Sequence, residues 1–482
     1  MMAMQVKSRK GVGRRVTHAG KGFVLALVLW VVMVMTAIVA VVQQTNRLNM
    51  KMAMGSMDQV RCKWACRAGT ESAIAILNDD LRASDCLQDL WSDNDEDYND
   101  VQLERCAYSI RVVDEAGKLN VNTATKEQLM ALPYMEENIA DAILDWRDTD
   151  DDVRTEGAEA GYYENLPFPY TIRNGPFQTI RELLRVKGVT PDLLYGEDAD
   201  LDGQLDFNEM DGALSPPMDN GDDYLDQGWI AYLTCYSYER NVDAEGNTRI
   251  NVNQADEPQL QTELGLTAGQ ARWIVQNRGQ GFKSIGDLVS SNSPQQAPGG
   301  PGQNQGNQSN PGNQNDQGDQ NSRRNRNNQG NQNNQGNQEN QNNQTQAEPL
   351  DLQTVARIAD RVTISGEQRI PGKININTAP WEVLVVLFGG GDQAEQAAYG
   401  VVSERATLLY GFQSIADLVS VQSVGLERFK SVADQITVRS DVFRIRCFAT
   451  AAISGAKLQT ECVVDRSATP CTILYSYQGA NY

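Results

Sequence analysis

The chain has 482 residues, 40% of them hydrophobic, with 42 Lys+Arg against 63 Asp+Glu for a net charge of −21. That is length for two to four domains with a real core, and an acidic balance that repels nucleic acid and suits cations or basic partners. The one histidine, His18, sits in a basic N-terminal stretch, so Ser-His-Asp and Cys-His catalysis and His-ligated zinc are excluded from the rest of the chain. There is no Walker A loop and no dinucleotide-binding glycine pattern, which leaves a carboxylate-only hydrolase as the remaining catalytic option; no enzyme activity is expected.

Residues 1–22 carry Lys7, Arg9, Lys10, Arg14, Arg15 and Lys21 and no acid. They read as a leader. Residues 23–42, Phe23 to Val42, hold no charge, and 20 residues at ~1.5 Å each cross a ~30 Å bilayer core as a helix. The basic flank should stay cytoplasmic and the rest should lie outside. The apolar run is too long for an ordinary cleaved signal. The junction Gly22-Phe23 resembles the site that a prepilin peptidase cuts, although Leu27 stands where most pilins have a Glu.

Residues 43–117 are expected to continue the helix as a stem and to begin a pilin-like head. Ala65, Ala68, Ser72 and Ile76 recur at helical spacing, and CAYSIRVVDEAGK alternates as a strand does. A repeat then appears three times. Lys118 begins KLNVNTATKEQL, Arg249 begins RINVNQADEPQL and Lys373 begins KININTAPWEVL. Each is followed by a second signature: PFQTIRELL, GFKSIGDLV and GFQSIADLV. Asn122, Asn253 and Asn377 are expected N-caps, and Pro258 and Pro380 fall in the first turn after them. The units read as helix-hairpin-helix-like bundles. In their hairpins LPYMEEN, LGLTAGQ and LFGGGDQ the glycines are absent or displaced, and the surrounding acid opposes phosphate contacts, which favours protein docking over DNA.

The first unit, residues 118–228, contains DADLDGQLDFNE at 198–209, the spacing of an EF-hand loop. Asp198, Asp200 and Asp202 would supply positions one, three and five, Gln204 its carbonyl, Asp206 a direct or water-bridged oxygen and Glu209 two oxygens. Gly203 would make the turn and Leu205 would fill the apolar eighth position. The expected ligand is Ca²⁺, held structurally, because the flanking helices read as short. A second acidic segment offers Asp148, Asp150, Asp152 and Glu159 for another ion.

Residues 229–290 read as a strand and the second unit. Residues 291–349, rich in Asn, Gln and Gly, cannot repay the entropy of ordering and are expected to be disordered, looping out between units two and three. The third unit is set at 350–440 and a closing β-hairpin with tail at 441–482. The cysteines are Cys62, Cys66, Cys86, Cys106, Cys235, Cys447, Cys462 and Cys471; Cys62 and Cys66 share a helix face and make a poor pair.

These parts, through DEAGKLNVNTA, DWRDTDDD, PFQTIRELLRVKGVT, KININTAPWEVL and CVVDR, resemble the general secretion pathway protein K family, the minor pseudopilins of type II secretion. That family also lacks the Glu at the fifth position. The resemblance implies an α+β fold: a long N-terminal transmembrane helix, an antiparallel pseudopilin head and an inserted helical domain that binds calcium. It implies an inner-membrane protein with a periplasmic head that joins other minor pseudopilins at the pseudopilus tip, starts assembly and touches secreted substrates, in a type II or related pilus-like machine. A third unit, the Asn/Gln-rich segment and extra cysteines make this a large member. The competing reading is a membrane-anchored helix-hairpin-helix DNA-binding protein of a DNA-uptake system.

Overall fold

The computed structural model describes residues 20–198, 200–201, 203–210, 212, 214, 219–289 and 346–479. Residues 1–19 of the expected leader, Asp202, and all but 346–349 of the expected disordered segment lie outside them.

One helix runs from Gly20 to Asp79. At ~1.5 Å per residue its 60 residues extend about 90 Å. From Phe23 to Val42 none of its side chains is buried and all but that of Val34 are exposed, and it is long and apolar enough to cross a membrane. From Cys62 onward it buries Cys62, Ala65, Cys66, Ala73 and Leu77 on one face. That face packs on a five-stranded sheet: β1 Val101–Leu103, β2 Cys106–Asp114, β3 Val442–Ala451, β4 Lys457–Asp465 and β5 Thr472–Gly479, in sequential order. Every neighbouring pair is antiparallel. β2 and β3 are central partners, so everything between Asp114 and Val442 is an insertion into a helix-on-sheet head.

Alternation decides the two faces of β3. Phe443, Ile445, Cys447 and Ala449 meet the stem helix. Arg444 and Arg446 point the other way and are buried against the insertion. Helix and sheet approach closely at Gly69, where an added Cβ would lie 2.8 Å from Cys447 Sγ and 2.9 Å from the Tyr108 ring. Gly69→Val should cost ~1–3 kcal/mol by overpacking this contact. Denaturant unfolding of the head checks it, and an unchanged midpoint would refute the close approach.

The insertion is built from three units of one plan. Each opens with a two-residue strand that a later two-residue strand closes in parallel: Leu119–Asn120 with Leu233–Thr234, Ile250–Asn251 with Val362–Thr363, and Ile374–Asn375 with Ile436–Thr437. The boundary expected at 350 is therefore corrected. The second unit continues through the helix Leu352–Ile358 to Val362–Thr363. Val289 bridges Leu350, so the chain leaves and re-enters at one place. The described residues on both sides of the Asn/Gln-rich segment thus belong to unit two, so the boundary between units two and three falls after Thr363.

The role expected of the asparagines is corrected as well. Helix N-caps fall later, at Thr125 and Asp256, with Pro380 itself at the cap position of the third. Asn122, Asn253 and Asn377 instead clamp the second signature from both sides. The side-chain oxygen accepts from Phe177, Phe282 and Phe412 N–H, each at 2.7 Å, and the amide nitrogen donates to the same residues' carbonyls at 3.0, 3.1 and 3.0 Å. An arginine ends a helix in each unit and ties back to the first signature: Arg147 to the carbonyls of Val121 and Ala124, Arg278 to Val252 and Ala255, Arg405 to Ile376 and Ala379. Asn377 is buried, so Asn377→Ala strands two inaccessible backbone groups at ~1–3 kcal/mol each. It should destabilise the chain more than Asn122→Ala, whose site is half-buried; equal unfolding midpoints would sink the clamp as an energetic device.

The basic residue that opens each repeat is also buried. Lys118 lies 3.6 Å from Glu115, while Arg249 and Lys373 converge on Glu239 at 2.7 and 3.2 Å. The units are thereby joined to one another and to the end of β2 by charges that lie out of water.

Candidate metal centres

The loop after the short helix Pro191–Tyr195 brings Asp198, Asp200 and Glu209 together, with one carboxylate oxygen from each within 4.8 Å of the others. Asp198 and Glu209 are 3% and 1% exposed, which no carboxylate tolerates without a counter-charge or donors. Gly203, at φ +71°, makes the turn and gives its N–H to Asp198 Oδ2 at 3.1 Å; the Arg111 guanidinium fills the space a side chain there would need. Glu209 is drawn back over the loop by the Asp206 N–H, 3.0 Å from its Oε2. The Asp206 side chain is exposed and stands outside the trio, and Gln204, expected to offer only its backbone carbonyl, is exposed as well. Leu201, rather than Leu205, is the buried apolar residue of the loop.

This loop docks on the head. Arg446 of β3 donates to the Leu201 carbonyl at 3.2 Å, and Gln459 of β4 donates to the Asp200 carbonyl at 3.0 Å. An ion held by Asp198, Asp200 and Glu209 would therefore stiffen the seam between sheet and insertion.

A second trio forms from Asp145, Asp148 and Glu159. Asp145 and Asp148 close the helix Glu137–Arg147, and Glu159 precedes the helix Ala160–Glu164. The Arg154 guanidinium reaches Asp145 Oδ1 at 2.5 Å and Asp148 Oδ2 at 2.6 Å. Glu159 is 4% exposed, yet neither of its carboxylate oxygens has a hydrogen-bond partner, nor has Asp148 Oδ1. Burial, then the charges of Asp145 and Asp148, push Glu159 up to about 7. With all three carboxylates ionised, one guanidinium leaves two negative charges uncompensated, the balance one divalent cation restores. Gly157 leaves the room this needs, because a Cβ there would run into the Asp145 carboxylate.

Of the acids expected here, Asp148 and Glu159 are brought together, whereas Asp150 and Asp152 stay exposed on the loop, with Asp150 Oδ1 accepting the Asp152 N–H at 3.0 Å. Asp145 was missed; its spacing of three from Asp148 across a helix end was the available signal. Both trios offer only hard oxygens, which fit calcium or magnesium and exclude a thiolate-type site. Gly22 and Phe23 lie in the first turns of the stem helix, with Phe23 exposed.

Residues 115–195 match a family model described as type II secretion system (T2SS), protein K, and residues 374–439 match a second model of the same description. The first contains the Asp145, Asp148 and Glu159 trio and stops just before the 198–209 loop; the second is the third unit almost entire. No curated protein matches. Among solved structures, a chain in the crystal structure of the GspK-GspI-GspJ complex from the enterotoxigenic Escherichia coli type 2 secretion system aligns at a TM-score of 0.44 and 13% identity, covering 89% of this chain and 99% of that one.

Proposed function

We propose, from the membership of this chain in the type II secretion system protein K family, that it is the minor pseudopilin at the tip of a secretion pseudopilus, where it starts assembly and is not an enzyme. The observation that carries this reading is the head itself, an antiparallel sheet on the buried end of a 60-residue helix whose other end is bare and apolar. Such a helix can pack beside the helices of neighbouring subunits and hold one span of the inner membrane. The partners are other minor pseudopilins; in the aligned complex they are named GspI and GspJ. The helical units, read as helix-hairpin-helix-like, face away from the stem as a docking surface for partners and secreted substrates. The trios around Asp198 and Asp145 hold Ca²⁺ as structural ions. DNA is disfavoured as the ligand, since the chain carries −21 and Arg249, Arg444, Arg446 and Arg466 are buried in ion pairs.

Prepilin peptidase would cut between Gly22 and Phe23, leaving the head in the periplasm. Edman or mass-spectrometric sequencing of the protein recovered from membranes should return a chain that begins at Phe23. A chain still carrying Arg14 and Lys21 would be a plain anchor, and the pseudopilus role would fall.

A further inference from the structure

Four cysteines gather where the stem helix meets the sheet. Cys62 and Cys66 lie one turn apart on the helix, both 0% exposed. Cys106 opens β2 and Cys447 lies within β3. The Cys62 and Cys106 sulfurs are 3.5 Å apart. Cys66 is directed elsewhere, its thiol donating to the Cys447 and Leu458 carbonyls at 3.4 and 3.5 Å. Among the described residues, the groups of three or more side chains whose ligand atoms lie close enough together to hold one ion are all carboxylates.

We propose that Cys62 and Cys106 are a disulfide-forming pair that fastens the stem helix to the first long strand of the head. The two sulfurs need to close by about 1.5 Å to reach a bond of ~2.05 Å. The helix neighbour Cys66 does not compete, because its side chain runs parallel to that of Cys62 and meets β3 and β4 instead. In the reaction each thiol gives up one proton and one electron, and one S–S bond forms. An external disulfide, small-molecule or protein, takes up both protons and both electrons and leaves as two thiols, through a mixed disulfide on one of the pair.

The position gives the bond a purpose. Cys62 sits near the membrane-proximal edge of the helix-to-sheet contact, one turn past Asp58, which is buried against Ser454 of the β3–β4 hairpin; around and before that, Met57, Val60 and nearly all the apolar residues back to Phe23 are exposed. A force that pulls the stem away from the head would begin to peel the helix at this edge. Packing alone resists that pull by small steps, whereas a covalent link at the edge requires a bond to break first.

The bond in cells rests on the reading that the head lies in an oxidising compartment, but the pairing does not, so the two are tested separately. The purified full-length chain in detergent, reduced and then treated with oxidised glutathione, should give on digestion a peptide pair joining Cys62 to Cys106. That pair should be lost in Cys62→Ser and in Cys106→Ser and kept in Cys235→Ser. Reductant should lower the Tm of the oxidised wild type and leave Cys62→Ser unmoved. Recovery of Cys62 and Cys106 as separate alkylated peptides from folded, oxidised protein overturns the pairing, as does Cys62 joined to another cysteine. A pair that forms in vitro, while acid-quenched cells yield both thiols free, supports the pairing and sinks the compartment reading.

Discussion

Chelating divalent cations should lower the Tm of the purified chain by roughly 10–20 °C, half of it from each of two sites, and calcium added back should restore it. A bound ion present at a hundred times its dissociation constant stabilises the folded state by ~2.7 kcal/mol per site. In a cooperative unit of 150–250 residues each kcal/mol moves Tm by ~2–4 °C. The two trios make the expected stoichiometry two, and single variants should separate them. Glu209→Ala should lose one equivalent by calorimetric titration and keep the other. Glu159→Gln should lose the other equivalent, with an opposite effect on the metal-free chain. Glu159 is buried and neither of its oxygens finds a donor, so an amide in its place removes a stranded charge and should raise stability in chelator while abolishing the response to calcium at that site. Magnesium should substitute poorly, because it demands a tighter octahedron and gives up its waters reluctantly. A Tm that ignores chelator would remove both ions from the account, and a Glu159→Gln variant destabilised with and without calcium alike would make that trio a packing feature.

What could be read in advance followed the range of the interaction. The three repeats, the 198–209 loop and the apolar stem are local patterns, and each is legible because its residues are neighbours in sequence. The asparagine clamp was not. Its partner lies 55 residues away in the first unit, 29 in the second and 35 in the third, so no fixed spacing marks it. Asparagine before a helix is also a good N-cap, and only the location of Phe177, Phe282 and Phe412 decides between the two uses. The unit boundaries were obscured for a related reason, since two-residue parallel strands carry no periodicity of their own. In the second acidic segment, sequence weights Asp150 and Asp152 no less than Asp145. Burial separates them, because Asp145 is on the last turn of a core helix beside Trp146 while the others ride an exposed loop. The sheet face was partly readable: alternation in FRIRCFA assigns the apolar residues to one side, but the reason two arginines occupy the other lies in Glu115 and Glu461, distant in the chain.

Those arginines set the other large effect, a loss of about 3–5 kcal/mol for Arg444→Met. Arg444 is 1% exposed and grips Glu115 with two bonds, Nε to Oε1 at 2.7 Å and Nη2 to Oε2 at 3.0 Å, while Nη1 reaches Glu461 at 2.8 Å. Glu115 closes the end of β2 where the insertion begins, and Glu461 lies on β4, so one side chain joins the sheet to its insertion. Methionine fills much of the volume but leaves Glu115 with Lys118 at 3.6 Å and the Thr234 hydroxyl, and Glu461 with Arg446. Burial would raise the Glu115 carboxyl; Arg444 and then Lys118 outweigh it and hold the group at about 2, below its ordinary 4.5. A carboxyl depressed in the folded state stabilises fully above its unfolded value and loses that contribution as pH falls through its folded one. The gap between wild type and Arg444→Met should thus be full above pH 4.5 and close as pH falls toward 2. The exposed pair Arg67–Glu71, 3.8 Å apart, serves as control, and breaking it with Glu71→Ala should cost under ~0.5 kcal/mol at any of these pH values. A gap that stays constant down to pH 2 would assign the loss to packing around the arginine stem. One that closes would show that the insertion is held to the head by charge, at the same seam where the 198–209 loop rests on Arg446.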